Sequence, residues 1–220
     1  MRRAVLWGLF VIFARTSPAQ SAPNAAAILK EVAETYRAAK QYQLAMDGGA
    51  PDKPFHRVFS FRPGQYRLDG PLTENSDVGL TIYDGTTLWF YFPKTNVYAA
   101  YSTEELKQGA LDPGSPWQPE DMNLLFLEDF RNSEDHANGA RFVREDVLQF
   151  GGARTDCYVL SIVVDRIPLT WWVDKTTSYV LRVENDAGDT FLTFRSNEPL
   201  PEALFKFVPP PNARKEGGEN

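Results

Sequence analysis

The sequence predicts a mainly β (α+β) fold, an antiparallel sheet of about 10–11 strands covered by α-helices. Three observations carry this. Beyond residue 54, apolar residues recur with period two in short runs bounded by Gly, Pro, Asn and Asp. Helical spacing is confined to 23–40 and to an insertion over 102–136. The chain has 220 residues, 43% apolar and 13% aromatic, enough for one core and too aromatic for a disordered protein. A single domain is expected over 20–213, with a polar tail over 214–220.

The elements follow in order. Arg2 and Arg3 precede an apolar run over 4–14, and Ser17-Pro18-Ala19 supplies small residues for cleavage. This reads as a secretory signal peptide over 1–19, too short to span a bilayer. Its removal takes away Arg2, Arg3 and Arg15 and moves the net charge from −6 to −9. With no cysteine beside the cleavage site, the mature chain is expected to be exported, periplasmic, soluble, monomeric and without a permanent membrane anchor. Over 23–40, Ile28, Val32, Tyr36 and Ala39 form one stripe, with Pro23 suited to the first turn.

The period then changes to two. Phe55, Arg57, Phe59 and Phe61 alternate with His56, Val58 and Ser60 before Arg62-Pro63-Gly64 breaks the run. Tyr66 and Leu68 resume it. Residues 79–83 enter the Asp84-Gly85 turn and leave as 87–92, a strong hairpin signal. Residues 97–101 add another strand. Ser102 and Glu105 have capping-box spacing for a short helix. Pro119, Glu120 and Asp121 open a second, whose stripe is Met122, Leu125, Phe126 and Phe130. The acids of 101–136 outnumber Lys107 and Arg131 by seven, so most of the excess charge sits on this insertion. Strands return at 142–150 and 156–164 around Gly151-Gly152, at 169–173 and 178–184 around a turn at 174–177, and at 190–195.

Composition excludes several functions. A net charge of −6 argues against nucleic acid. One cysteine rules out a disulfide framework or a cysteine-rich zinc site. His56 and His136 have no nucleophile motif beside them, and neither G-x-S-x-G nor a phosphate loop occurs. Cys157, in an apolar strand, reads as a buried thiol. Glu120, Asp121, Glu128 and Asp129 read as the solvated side of an amphipathic helix rather than a cation site. No catalytic residue, cofactor or metal is expected, and a secreted hydrolase is the remotest reading.

Several strands are apolar on both faces. Leu88, Phe90 and Phe92 alternate with Trp89 and Tyr91, and Trp171 adjoins Trp172. A half-buried strand should alternate apolar with polar. Either one face packs on a second layer, or one face lines an apolar ligand chamber.

Arg62-Pro63, followed by Asp84-Gly85-Thr86-Thr87-Leu88-Trp89-Phe90-Tyr91-Phe92-Pro93, resembles the LolA family of periplasmic outer-membrane lipoprotein carriers. Thr170-Trp171-Trp172-Val173-Asp174-Lys175 resembles that family's second-half strand and turn. The resemblance implies an open, strongly curved half-barrel covered by helices, with an apolar cavity for acyl chains of lipoproteins or other lipids. It further implies an inner-membrane donor and an outer-membrane acceptor. Arg62 stands where the family's gating arginine binds backbone near the lid; otherwise it reads as a solvated strand-end arginine. The expected cavity and gate residues are Arg62, Trp89, Phe90, Tyr91, Met122, Phe126 and Trp171. The alternative is an RseB-like lipoprotein sensor without a transport role.

Overall fold

Two meanders build the sheet. The first runs through β1 (Tyr42–Ala50), β2 (Lys53–Arg62), β3 (Gln65–Asp69), β4 (Leu80–Tyr83), β5 (Thr87–Phe92) and β6 (Val97–Ser102). The second runs through β7 (Arg141–Phe150), β8 (Ala153–Val164), β9 (Ile167–Asp174), β10 (Val180–Asn185) and β11 (Gly188–Ser196), and a two-residue β12 (Arg214–Lys215) follows. The computed structural model describes residues 22–50, 52–71, 76–109 and 127–216. The signal segment, Met122, Phe126, most of the acidic insertion and residues 217–220 lie outside the described residues.

Pairing of β1 with β11 fuses the meanders, with Leu44 opposite Phe194 and Met46 opposite Leu192. The result is one open sheet in the order β12-β6-β5-β4-β3-β2-β1-β11-β10-β9-β8-β7. All neighbours are antiparallel except β12, which lies parallel to β6. The strand count is twelve, because β12 extends the sheet past the segments the alternation marks.

The turns follow local chemistry. Gly85 adopts φ +102° at the β4–β5 hairpin, where a side chain would be strained. The Asp84 carboxylate accepts hydrogen bonds from the backbone N–H groups of Thr86 and Thr87, both at 2.9 Å. Helix α1 (Ala25–Arg37) is capped by Asn24, which accepts from the Ala26 N–H at 3.0 Å. The short α2 (Thr103–Lys107) starts with the Ser102–Glu105 capping box that the spacing predicts. Helix α3 (Glu128–Arg131) is the described part of the second helix.

Ile28, Leu29, Val32 and Tyr36 of α1 are buried against one side of the sheet, hereafter the helix face. Burying each such side chain contributes about 1.5–3 kcal/mol. Tyr36 also joins helix to sheet, because its hydroxyl oxygen accepts the Val180 N–H at 3.2 Å. The end of the insertion is latched to α1: the Ser133 hydroxyl donates to the Leu29 carbonyl at 2.7 Å, and Arg37 meets Glu134 at 2.8 Å.

The opposite, outer face is covered by the chain itself. After β11 the backbone crosses to β6, six strand positions away, a span of about 29 Å at sheet spacing. Residues 197–213 form this strap. Fully buried Phe205 anchors it, and Phe207 stacks on Trp89 with ring centroids 5.0 Å apart. The segment from 214, read above as tail, pairs with Val97 and Tyr98 of β6.

The other half of the outer face is covered by curvature. Phe150 on β7 and Phe191 on β11 sit four strand positions apart, about 19 Å in a flat sheet. Their rings stack at 4.7 Å. The free end of the β7–β8 hairpin therefore bends over the outer face and closes a small cluster of Leu148, Cys157, Val159 and Trp172.

Candidate functional site

The helix face carries a chain of rings running across the sheet. Trp171 meets Phe130 of α3 at 5.2 Å, Phe130 meets Tyr36 at 4.9 Å, and Tyr36 meets Phe194 at 4.6 Å. Tyr42 continues it, 5.5 Å from Phe194 and 5.4 Å from Phe61. Phe59, Tyr66 and Tyr83 extend it at 6.1 Å and 5.8 Å.

Burial changes along this chain. Under α1, Tyr36, Tyr42 and Trp171 are 0–1% exposed. Over β2–β6, Phe55, Phe61, Tyr83, Phe92 and Tyr101 are only half-buried and rest against the same core. The less buried apolar band is thus on the first meander, with Phe90 buried in its floor.

Among the described residues, the Trp171 indole nitrogen and the Thr81 hydroxyl on the helix face, and Arg131 Nε and His136 Nε2 on the segments that cover it, are buried without a hydrogen-bond partner. An unmet buried donor costs about 1–3 kcal/mol, so such atoms mark places where another group can be received. Burial pushes the phenols of Tyr36 and Tyr42 well above their ordinary range, so both stay neutral.

The expected cavity and gate residues divide between the faces. Phe90 and Trp171 belong to the helix face. Trp89 and Tyr91, alternating with Phe90, belong to the outer face; Trp89 lies under Phe207, and the Tyr91 hydroxyl donates to Asn96 at 3.0 Å. Arg62 alternates with Phe59 and Phe61 and also faces outward. Its guanidinium lies 4.7 Å over the Phe205 ring, and its Nε donates to the Gln65 side chain. Gln65 in turn donates to the Asp84 carbonyl, so Arg62 braces two adjacent turns and the strap together. Met122 and Phe126 lie outside the described residues.

Asp84 completes this outer brace. Burial raises its pKa, but bonds from the Trp89 indole at 3.0 Å, from the Thr86 N–H and hydroxyl and from the Thr87 N–H prevail, holding it below the usual carboxylate range. Burial pushes the Cys157 thiol up to about 11. Among the described residues, no group of three or more His, Cys, Asp or Glu could hold a metal, and no helix is long and apolar enough to cross a membrane.

Sequence reading placed Tyr36 and Phe130 on helical stripes but not at the site. What would have singled out Tyr36 is its hydroxyl on an otherwise apolar stripe. Phe205 and Phe207 look like a strand by alternation, and nothing local shows that they form a strap.

No family model matches the sequence, and no curated protein matches it. Among solved structures, LprF from Mycobacterium bovis is 13% identical, with a TM-score of 0.51 over 87% of this chain and 98% of that one. The Mycobacterium tuberculosis lipoprotein LppX is 13% identical at 0.46, over 82% and 99%. The MucA/MucB complex of Pseudomonas aeruginosa gives 15% and 0.48, over 84% of this chain and 62% of the matched chain. The fold assignment rests on the first of these: this chain has a fold similar to that of LprF.

Proposed function

We propose that the protein binds acyl chains of lipids or lipoproteins on its helix face and shuttles them through the periplasm toward the outer membrane. The observation that carries this is the Trp171 indole N–H, buried without an acceptor among the described residues, on a face whose rings continue into a half-buried apolar band. Each acyl methylene buried there supplies about 0.8 kcal/mol, while the indole N–H is free to meet an ester or amide carbonyl. The LprF-like fold is consistent with this reading. Arg62, braced on the outer face, touches none of the ring chain described above, so it acts on hand-over and not on loading.

The test begins with lipid extraction of the protein purified from its native source, followed by mass spectrometry; acyl lipid or lipoprotein is expected. Titration with a triacylated lipopeptide should shift the emission of Trp171. Trp171→Phe keeps a ring and removes the donor, and should weaken the lipopeptide about 5- to 100-fold, the loss of one buried hydrogen bond. Arg62→Leu should load normally and deliver slowly to outer-membrane vesicles. An empty extract together with an unresponsive Trp171 refutes lipid binding; full loading without delivery by the unaltered protein favours the sensor.

A further inference from the structure

A cavity of about 280 Å³ opens on the outer face between the β7–β8 hairpin tip and strands β10 and β11. Leu148, Phe150 and Leu181 line it, with Ala153, Thr155 and Thr193. Two irregularities create it. The hairpin tip bends until Phe150 stacks on Phe191. A register shift between Val180 and Arg182 places Leu181 against the outer cluster of Leu148 and Trp172. The lining is mainly apolar, and the two threonines are the polar side chains in it.

We infer that this cavity takes the alkyl tail of a fatty-acid-like anionic amphiphile, whose carboxylate is received by Arg195. The size sets the tail. An apolar cavity of roughly 150 Å³ holds one benzene ring, so this one has room for about ten carbons. The charge sets the head. Arg195 follows Thr193 by two residues on the same face of β11, about 7 Å along the strand. It is exposed, and no hydrogen bond or ion pair engages its guanidinium among the described residues. Arg182, the outer-face cation of neighbouring β10, is already held by Glu184 at 2.9 Å and Asp189 at 2.8 Å. A carboxylate emerging from the cavity therefore meets Arg195, which is not committed to another acid. Leu192 and Phe194, whose side chains belong to the helix-face core, also border the cavity, but it opens on the outer face, and the inference does not depend on acyl chains binding to the helix face.

Calorimetric titration of the mature protein with sodium decanoate and with 1-decanol tests this. Both should bind the unaltered protein. Thr193→Phe places a ring in the cavity at an exposed strand position and should weaken both ligands at least tenfold. Ala153→Phe fills it from the hairpin and should do the same if the first variant folds poorly. Arg195→Gln should weaken decanoate about two- to fivefold, the range of an exposed ion pair, and leave decanol unchanged. Undiminished decanoate binding in both filling variants overturns the site, even if the native protein carries lipid. An equal effect of Arg195→Gln on both ligands overturns the assignment of the headgroup.

Discussion

Tyr36→Phe should lower stability at neutral pH and raise it relative to the unaltered protein in strong alkali. The substitution keeps the ring between Phe130 and Phe194, at 4.9 and 4.6 Å, and removes the oxygen that accepts the Val180 N–H. Val180 is fully buried, so its N–H is left without a partner at a cost of about 1–3 kcal/mol. Alkali acts in the other direction. Burial raises the folded phenol above its ordinary value of 10.0, whereas the unfolded phenol ionises near that value. The stability this group contributes is complete below pH 10 and is lost as pH rises, at about 1.4 kcal/mol per pH unit. Phenylalanine has no such loss. The gap between the two proteins should close and reverse about one to two pH units above 10, between roughly pH 11 and 12. Urea unfolding followed by far-ultraviolet circular dichroism from pH 8 to 12 measures it. A gap that stays constant across this range, or no loss of stability at pH 8, refutes the assignment of Tyr36 as a neutral buried latch.

The strap and the thiol give two further tests. Phe205→Ala empties a fully buried site under the strap and should cost about 3–5 kcal/mol in urea unfolding, with faster proteolysis between 206 and 216; a cost below about 1 kcal/mol would show that the strap does not hold the outer face. With its thiol pushed up to about 11, Cys157 should be roughly one thousandth thiolate at pH 8 and react with a thiol reagent only on unfolding; stoichiometric reaction within seconds in native buffer contradicts its burial.

What the sequence makes legible is local chemistry. Asp84-Gly85 marks a hairpin because a left-handed glycine and an Asp accepting from the next N–H groups specify the turn within four residues. The Ser102–Glu105 box works the same way. The assignment of faces is different. Alternation alone separates Trp89 from Phe90 and Trp171 from Trp172, but it does not say which member of each pair α1 covers. That depends on the β1–β11 pairing, which joins residues about 150 positions apart. Because both faces are apolar, the pattern is symmetric and gives no sign. For the same reason Arg62 could be read at the cavity mouth, whereas its position in β2 points it outward to Phe205, a residue that reaches it only through a strap spanning six strands.

Coverage of both faces also decides where a ligand can enter. Lifting α1 would expose Ile28, Leu29, Val32 and Tyr36 at a cost of about 6–12 kcal/mol. An acyl ligand would need about 8–15 methylenes to offset that cost before gaining any affinity. The band on β2–β6 asks much less, since Phe61, Tyr83, Phe92 and Tyr101 are already partly exposed. Lying along the first meander therefore offers an acyl chain the most, with α1 still seated and only its carbonyl end reaching in beside α3, where Phe130 covers Trp171. On this geometry Tyr36 keeps the sheet assembled during loading. Variants that weaken its latch should change stability much more than lipid affinity, whereas Tyr83→Ser or Phe92→Ser, in the partly exposed band, should change affinity more than stability.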